Sequence, residues 1–392
     1  MQIIEKIKLA PYTTFKIGGE AKYFCEVKDQ FDALRAFEFA KEKNLPVFIL
    51  GGGSNVLISD SGFNGLVIRV ANSGIEVIGS SDALTIPSAA EGSLKHDDKI
   101  KKRDSSQSLG MEKNSVLLKV ASGENWDSVV AFAVKNNWWG IENLSHIPGS
   151  TGAIAVQNVG AYGQEAKNVI ESVTVFDTKT HEITNLKNEA CGFEYRSSIF
   201  NTTQKGRYII FYITFKLYKN PNPILNYRDL AIRFSGTPNP SLLSIRRSVI
   251  DIRDGKFPFP TEAVLGNAGS FFKNYVTNEN GYAELAEKVK ELWGHAEFNG
   301  LDSRKFVEDK NIKIPTAFLF ELCGIKDLEF GGAAINKNQP LVIINKNGLA
   351  TAKDVLNLAK MVKKTIYDKL QINIHIEPEL VGFFESDLKE LV

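Results

Sequence analysis

Three cysteines, Cys25, Cys191 and Cys323, stand in 392 residues with no CxxC spacing, which excludes a disulfide framework and a thiolate zinc site and fits a reducing compartment. Histidine is equally sparse: His96, His146, His181, His295 and His375 show no ligand spacing, so no metal is expected. There is no excess of one charge, because 47 Lys and Arg nearly cancel 46 Asp and Glu. A formal net charge of +1 sets up no field to attract nucleic acid or an anionic membrane, so neither is expected as a partner and a small molecule is. No apolar run approaches the roughly twenty residues of a membrane span. The nearest, 208–218, reads as a buried strand. The N-terminal residues 1–11 alternate charge with aliphatics and lack the apolar core of a signal peptide, so a cytoplasmic protein, taken as a monomer, is expected.

The standard nucleotide loops are missing as well. No Gly-Lys-Ser/Thr ending marks a Walker loop, and Val56 stands where a dinucleotide fingerprint needs its third glycine. What is present is a different glycine pattern. His146-Ile-Pro-Gly-Ser-Thr-Gly-Ala-Ile-Ala-Val-Gln-Asn-Val-Gly-Ala-Tyr-Gly163 places Gly149, Gly152, Gly160 and Gly163 around a short apolar run almost free of bulky charge. Such glycines let backbone N–H groups approach a flat, anionic ligand, although the same pattern also serves as a plain connection between strands. A second patch, Leu50-Gly51-Gly52-Gly53-Ser54-Asn55, follows an apolar strand and offers amides and a hydroxyl to a pyrophosphate.

In chain order, the pattern predicts a strand at 23–27, a helix at 29–43 with Phe31, Leu34 and Phe37 on one side, and a strand at 47–50: a βαβ unit that delivers the Gly51 loop at a carboxyl end. Strands follow at 65–70 and 75–78. Residues 79–114 are rich in Ser, Lys, Asp and Gly without periodicity, which predicts a disordered insertion. Beyond it come a strand at 115–121, an amphipathic helix at 126–137, and strands at 172–177, 183–186 and 208–218. Pro, Asn and Gly signals mark 221–240 as a crossing segment. After that the texture turns α+β, with helices at 283–293 and 315–323, a strand at 341–345, a long helix at 351–370 opened by Thr351 with Asp354, and a last strand at 372–376.

The two glycine patches together resemble the flavin-binding domain of the vanillyl-alcohol-oxidase type. The wording Asn158-Val159-Gly160-Ala161-Tyr162-Gly163 is similar to that of the UDP-N-acetylenolpyruvoylglucosamine reductases of peptidoglycan synthesis, and Thr13-Thr14-Phe15-Lys16-Ile17-Gly18-Gly19 resembles that family's opening motif. The resemblance implies an α+β architecture: a vanillyl-alcohol-oxidase-type FAD-binding domain of two α/β subdomains over 1–220, a crossing segment and substrate loop over 221–240, a smaller α+β substrate-binding domain over 241–370, and a C-terminal strand and tail over 371–392. It also implies the activity, in which NADPH reduces FAD and hydride passes to UDP-N-acetylglucosamine enolpyruvate, giving UDP-N-acetylmuramate.

Residue by residue, the resemblance assigns cofactor contacts to Gly51, Gly52, Gly53, Ser54, Asn55, Pro148, Gly149, Gly152, Asn158, Gly160 and Gly163. Reducing an enolpyruvyl ether leaves an enolate that must be stabilised and then protonated, which calls for a fixed cation and a positioned acid. Glu194-Tyr195-Arg196-Ser197-Ser198 resembles the family's Tyr-Arg-x-Ser element, which makes Arg196 the enolate-stabilising cation and Tyr195 a substrate-side hydroxyl. Gly266-Asn267-Ala268-Gly269-Ser270-Phe271-Phe272-Lys273-Asn274 is the most specific match and implies Ser270 as proton donor and Asn274 as a nucleotide contact. In Ile376-Glu377-Pro378-Glu379 the second carboxylate, Glu379, completes the catalytic set with Glu377 as its rival, and Val381 stands where the family commonly has an Arg. Tyr227 matches the substrate-covering tyrosine of the family's first type, and Lys256 its substrate-phosphate lysine. An FAD oxidase of a small sugar or alcohol and a non-catalytic UDP-sugar-binding module are the alternative readings.

Overall fold

The structure, a computed structural model, describes residues 1–78, 114–256, 265–308, 310–389 and 391, together with the backbone pairing of Thr85–Ile86. Apart from that pair and Asn114, the expected insertion at 79–114 lies outside the described residues, as does His96. The chain divides into two compact units. One comprises Met1–Ile7, Ala21–Gly52 and Asn64–Gly255, and the other Lys8–Glu20, Gly53–Phe63 and Lys256–Val392.

The first unit contains two apolar cores, each built on a sheet. A four-stranded sheet runs in the order Ile3–Lys8, Glu20–Val27, Phe63–Val70, Val47–Leu50, and the helix Gln30–Glu42 belongs to its core. The helix turns Ala33, Ala36 and Ala40 inward and leaves Phe31 66% exposed, so the expected aromatic face is corrected: small side chains let the helix lie close to the sheet, and the larger ones sit at its margin. The second sheet is antiparallel, ordered Glu182–Lys187, Ile170–Asp177, Tyr208–Tyr218, Ser115–Ala121, Ile75–Ile78, Thr85–Ile86. In the strand Tyr208–Tyr218 the register slips where Thr174 and Val175 face Tyr212 and Ile210, leaving Phe211 as the extra residue. One extra residue reverses the alternation of faces. Ile209 and Phe211 therefore join the core of the first sheet, while Ile210, Ile213, Phe215 and Leu217 join the core of the second.

The helix Leu242–Lys256 was not foreseen. Leu242, Ile245 and Val249 sink into the second core of the first unit and Ile252 packs against it, a spacing of three and four that marks a helical stripe. The chain thus leaves the first unit after this helix, later than the expected boundary at 220–240.

The second unit packs the helix Ala352–Leu370 against a four-stranded antiparallel sheet ordered Gly266–Ser270, Val342–Asn345, Ala333–Ile335, Glu329–Phe330. Val355, Leu358, Val362 and Ile366 are fully buried, and Thr351 with Asp354 forms the expected capping box. Two early segments join this unit: 8–20, whose Thr14 O accepts from Asn267 N–H and whose Phe15 and Ile17 enter its core, and 53–63, in which Val56–Ile58 pairs in parallel with Glu379–Val381. The expected strand at 372–376 reduces to one bridge, Phe272 to Ile376.

Candidate active site

In the first unit the two glycine patches meet backbone to backbone. A Cβ on Gly52 would lie 2.6 Å from Gly149 Cα, and the Gly52 N–H donates to Ser150 Oγ at 3.0 Å. A Cβ on Gly152 would lie 2.7 Å from Ser122 Cβ. Glycine is therefore required at both positions for close approach. The Ser122 hydroxyl, on a residue only 2% exposed, has no hydrogen-bond partner among the described residues, so a buried donor beside Gly152 awaits a ligand atom. These features fit a bound flavin nucleotide. Of the backbone amides in this patch, the Thr151 and Gly152 N–H groups already donate to Glu124 O and Ser122 O. Pro148 is partly buried between His146 and Gly149, whose carbonyl accepts from Trp126 N–H.

Arg196 sits at φ 53° in a tight turn closed by reciprocal backbone bonds between Glu194 and Ser197. Its guanidinium donates to the carbonyls of Gly160 at 2.7 Å and Asn158 at 3.4 Å and lies 5.5 Å from the Tyr195 ring centroid. Asn158 is fully buried and its side chain is engaged within the protein: Nδ2 donates to Glu165 Oε2 and Glu194 O, and Oδ1 accepts from Lys167 N–H. Its contribution thus runs through the turn that holds Arg196. Gly163 has φ 84°, and a Cβ there would lie 3.0 Å from Asn226 Oδ1. Next to it Tyr162 is buried, with its hydroxyl pKa pushed up to about 12 by that burial, and its ring meets Tyr227 edge-on at 5.4 Å.

The helix Leu242–Lys256 supplies residues that were not singled out in the sequence. Arg246 pairs both terminal nitrogens with Asp127, whose carboxylate also accepts the His146 backbone N–H; the Asp254 carboxylate accepts from the His146 ring at 2.9 Å when Nε2 carries the proton; and Arg253 Nε–H donates to His146 O at 2.7 Å. Burial alone would raise the Asp127 pKa, but Arg246 and the His146 N–H outweigh it and hold the carboxyl below its ordinary value. The helical stripe of 242, 245, 249 and 252 was the signal that would have found them. Lys256, the last residue of this helix, is partly exposed.

In the second unit, the strand Gly266–Ser270 breaks register with Val342–Asn345 between Asn267 and Ser270. Gly269 takes φ 70° there, its N–H bonded to Asn267 Oδ1 at 2.9 Å, and a Cβ on it would meet nothing within 4 Å. Such a bulge re-aims the next side chain, here Ser270, while Phe271 and Phe272 behind it are fully buried. Two backbone bonds then fasten this segment to the C-terminal one: Glu377 N–H to Phe271 O and Lys273 N–H to His375 O, both at 2.9 Å. Asn55 joins the same assembly, its O accepting from Glu379 N–H at 3.0 Å and its Nδ2 donating to Glu377 O at 3.4 Å. Gly53, buried at φ 64°, packs against Tyr12, and its carbonyl accepts from Thr14 N–H; Ser54 beside it is partly buried. The Asn274 Oδ1 is committed to Thr316 N–H at 3.2 Å. Val381 is buried in the pairing with Ile58, a place that suits its apolar side chain.

A family model described as UDP-N-acetylenolpyruvoylglucosamine reductase, C-terminal domain, matches residues 259–381, and one described as an FAD binding domain matches residues 103–186. The UDP-N-acetylenolpyruvoylglucosamine reductase of Neisseria meningitidis serogroup B is 35% identical over 376 residues, covering 94% of this chain and 95% of the relative. That of Flavobacterium johnsoniae is 33% identical, covering 97% and 100%. Among solved structures, the UDP-N-acetylenolpyruvylglucosamine reductase of Thermus caldophilus superposes with a TM-score of 0.60 at 22% identity, covering 97% of this chain and 100% of that one, which supports the fold.

Proposed function

The chain belongs to the UDP-N-acetylenolpyruvoylglucosamine reductases, and on that premise we propose which of its residues carry the reaction. It is an FAD-dependent oxidoreductase that reduces UDP-N-acetylglucosamine enolpyruvate to UDP-N-acetylmuramate, and the oxidase and non-catalytic readings are set aside. When bound, FAD supplies the hydride chemistry between NADPH and the enolpyruvyl methylene carbon. The glycine patches around Gly51–Gly53 and 149–163, with the buried Ser122 hydroxyl, hold that cofactor.

Substrate reduction builds enolate charge beside the carboxylate. Arg196 neutralises it, with the guanidinium held in place beforehand by the Gly160 and Asn158 carbonyls. The Ser270 hydroxyl donates the proton to the substrate carbon and regains one from solvent, and the Glu379 carboxylate completes the catalytic set. Tyr195, Tyr227, Lys256 and Asn274 bind the UDP-sugar. The observation that supports this assignment is the fastening of the Ser270 segment to the Glu377–Glu379 segment by backbone bonds to Phe271 O and His375 O, with Asn55 bonded to Glu377 and Glu379.

The half-reactions separate the roles. Ser270→Ala should be reduced by NADPH under anaerobic conditions at near the wild-type rate, while reoxidation by the enolpyruvyl UDP-sugar slows on the order of 10² to 10³-fold. Equal loss of both steps would remove Ser270 from proton transfer. We also propose that the enzyme acts as a monomer in the cytoplasm. For the cytoplasm the support is three buried free thiols, each with its pKa raised by burial. Light scattering at micromolar concentration tests the monomer.

A further inference from the structure

One side chain reaches both ends of the glycine-rich loop. Arg253 donates Nε–H to the carbonyl of His146 at 2.7 Å, and the same guanidinium hydrogen-bonds the hydroxyl of Tyr162. Both recipients are non-glycine residues at positive φ, 60° at His146 and 50° at Tyr162. Such backbone persists only where surrounding contacts impose it. At the His146 end the Asp127 and Asp254 carboxylates add to the hold. At the Tyr162 end Asn143 Nδ2 bridges Tyr162 O at 2.8 Å and Ile224 O at 2.9 Å, tying the loop to the segment that carries Tyr227.

We propose that Arg253 is a positioning residue for the cofactor: it clasps both ends of the loop 146–163, setting flavin affinity, and through Tyr162 it fixes the ring of Tyr227. The inference rests on the reading that this loop holds FAD. Arginine suits the task because its planar fork serves two acceptors in fixed directions, whereas a lysine ammonium is a point charge on a flexible stem. Arg253 need touch neither flavin nor substrate.

The test uses the full chain. Arg253→Lys keeps the charge and loses the fork, and Tyr162→Phe removes one hydroxyl while keeping the edge-on contact with Tyr227. Each should raise the FAD dissociation constant, read by flavin fluorescence, about tenfold. The double variant should bind no more weakly than Arg253→Lys alone, because both changes break the same clasp. In enzyme saturated with FAD, KM for the UDP-sugar should rise severalfold while the rate of reduction by NADPH stays within about twofold. A purely structural role would instead lower the melting temperature of the apoprotein and leave the FAD dissociation constant unchanged, which overturns the proposal, as do additive effects of the two changes. Should Arg253→Lys fail to fold, Tyr162→Phe decides alone, since it removes a single oxygen. Gly52→Ala separates this proposal from its premise, because it drives a Cβ into the backbone of the loop. If Gly52→Ala also leaves FAD binding intact, the loop is not the flavin site. If it abolishes binding while Arg253→Lys and Tyr162→Phe do not, only the clasp fails.

Discussion

The two units hold their candidate residues by opposite means. In the first, Arg196, His146, Asn158 and Tyr162 all stand at positive φ, and carbonyls, a buried amide and an Arg–Asp pair keep them there. In the second, Ser270 rides on a strand whose next two residues, Phe271 and Phe272, are fully buried in an aromatic run through Phe15 and Phe320. Polar fastening is directional and sets a loop to a ligand's shape; apolar packing is stronger in sum but indifferent to direction. The difference suits the tasks proposed for each region. A cofactor bed needs many backbone groups aimed at one molecule, and a proton donor needs one side chain that does not drift.

The largest effect should therefore come from the apolar side. Phe272 makes edge contacts with Phe271 at 5.4 Å and Phe320 at 5.3 Å, and it bridges to Ile376. Phe272→Ala should cost about 3–5 kcal/mol of stability in urea unfolding, the range for a buried aromatic, and should weaken the second unit while FAD affinity at the first persists. If FAD affinity falls as steeply as stability, the two fastenings are not independent and the contrast breaks.

On the polar side the effect should be smaller and should depend on pH. Asp127→Asn removes the charge from a pair whose side chains are 13% and 19% exposed, at a cost of about 1.5–3 kcal/mol for the charged bonds it weakens. The folded Asp127 pKa lies below its ordinary value. A depressed carboxyl contributes stability that is fully present above the unfolded pKa of about 3.9 and is lost as pH falls through the folded value. Wild type should hold FAD equally well from pH 7 to 5 and lose it only below about pH 4, where it converges on Asp127→Asn. Fluorescence of released flavin across that range measures it, and a variant that stays parallel to wild type at low pH would rule out the pair as the cause.

The sequence showed these two sides unequally. Motif wording pointed to Arg196, Ser270 and Glu379, and regular patterning located the long helix with its Thr351–Asp354 box. The polar fastening was illegible because it joins distant positions: Arg253 acts on His146 and Tyr162, and Asn143 on Ile224, pairs that no local spacing predicts. The helix that carries Arg246 and Arg253 was overlooked although Leu242, Ile245 and Val249 repeat at helical spacing, since the Pro and Asn signals before it drew the domain boundary too early. The division of the units was hidden for a similar reason. Residues 53–63 belong with the second unit through a parallel pairing to Glu379–Val381, a partner more than three hundred positions away.

The finest distinction lies between two glycines of the first unit. Gly163 holds φ 84° with Asn226 Oδ1 3.0 Å from where a Cβ would stand, whereas Gly255, near the end of its helix, has nothing within 4 Å of that point. Gly163→Ala should cost about 1 kcal/mol, because an L side chain resists left-handed backbone. The strain falls beside Asn226 and Tyr227 at the end of the loop proposed to hold FAD, so KM for the UDP-sugar and the FAD dissociation constant should both rise severalfold. Gly255→Ala meets the opposite situation: it relieves a helical glycine of its entropy cost and should stabilise by up to about 1 kcal/mol. Opposite signs in thermal unfolding would show that the positive backbone angle at Gly163 is imposed by the tyrosine segment. Equal small effects would mean that the segment yields to a methyl group, and the directional fastening of the first unit would then end short of Tyr227.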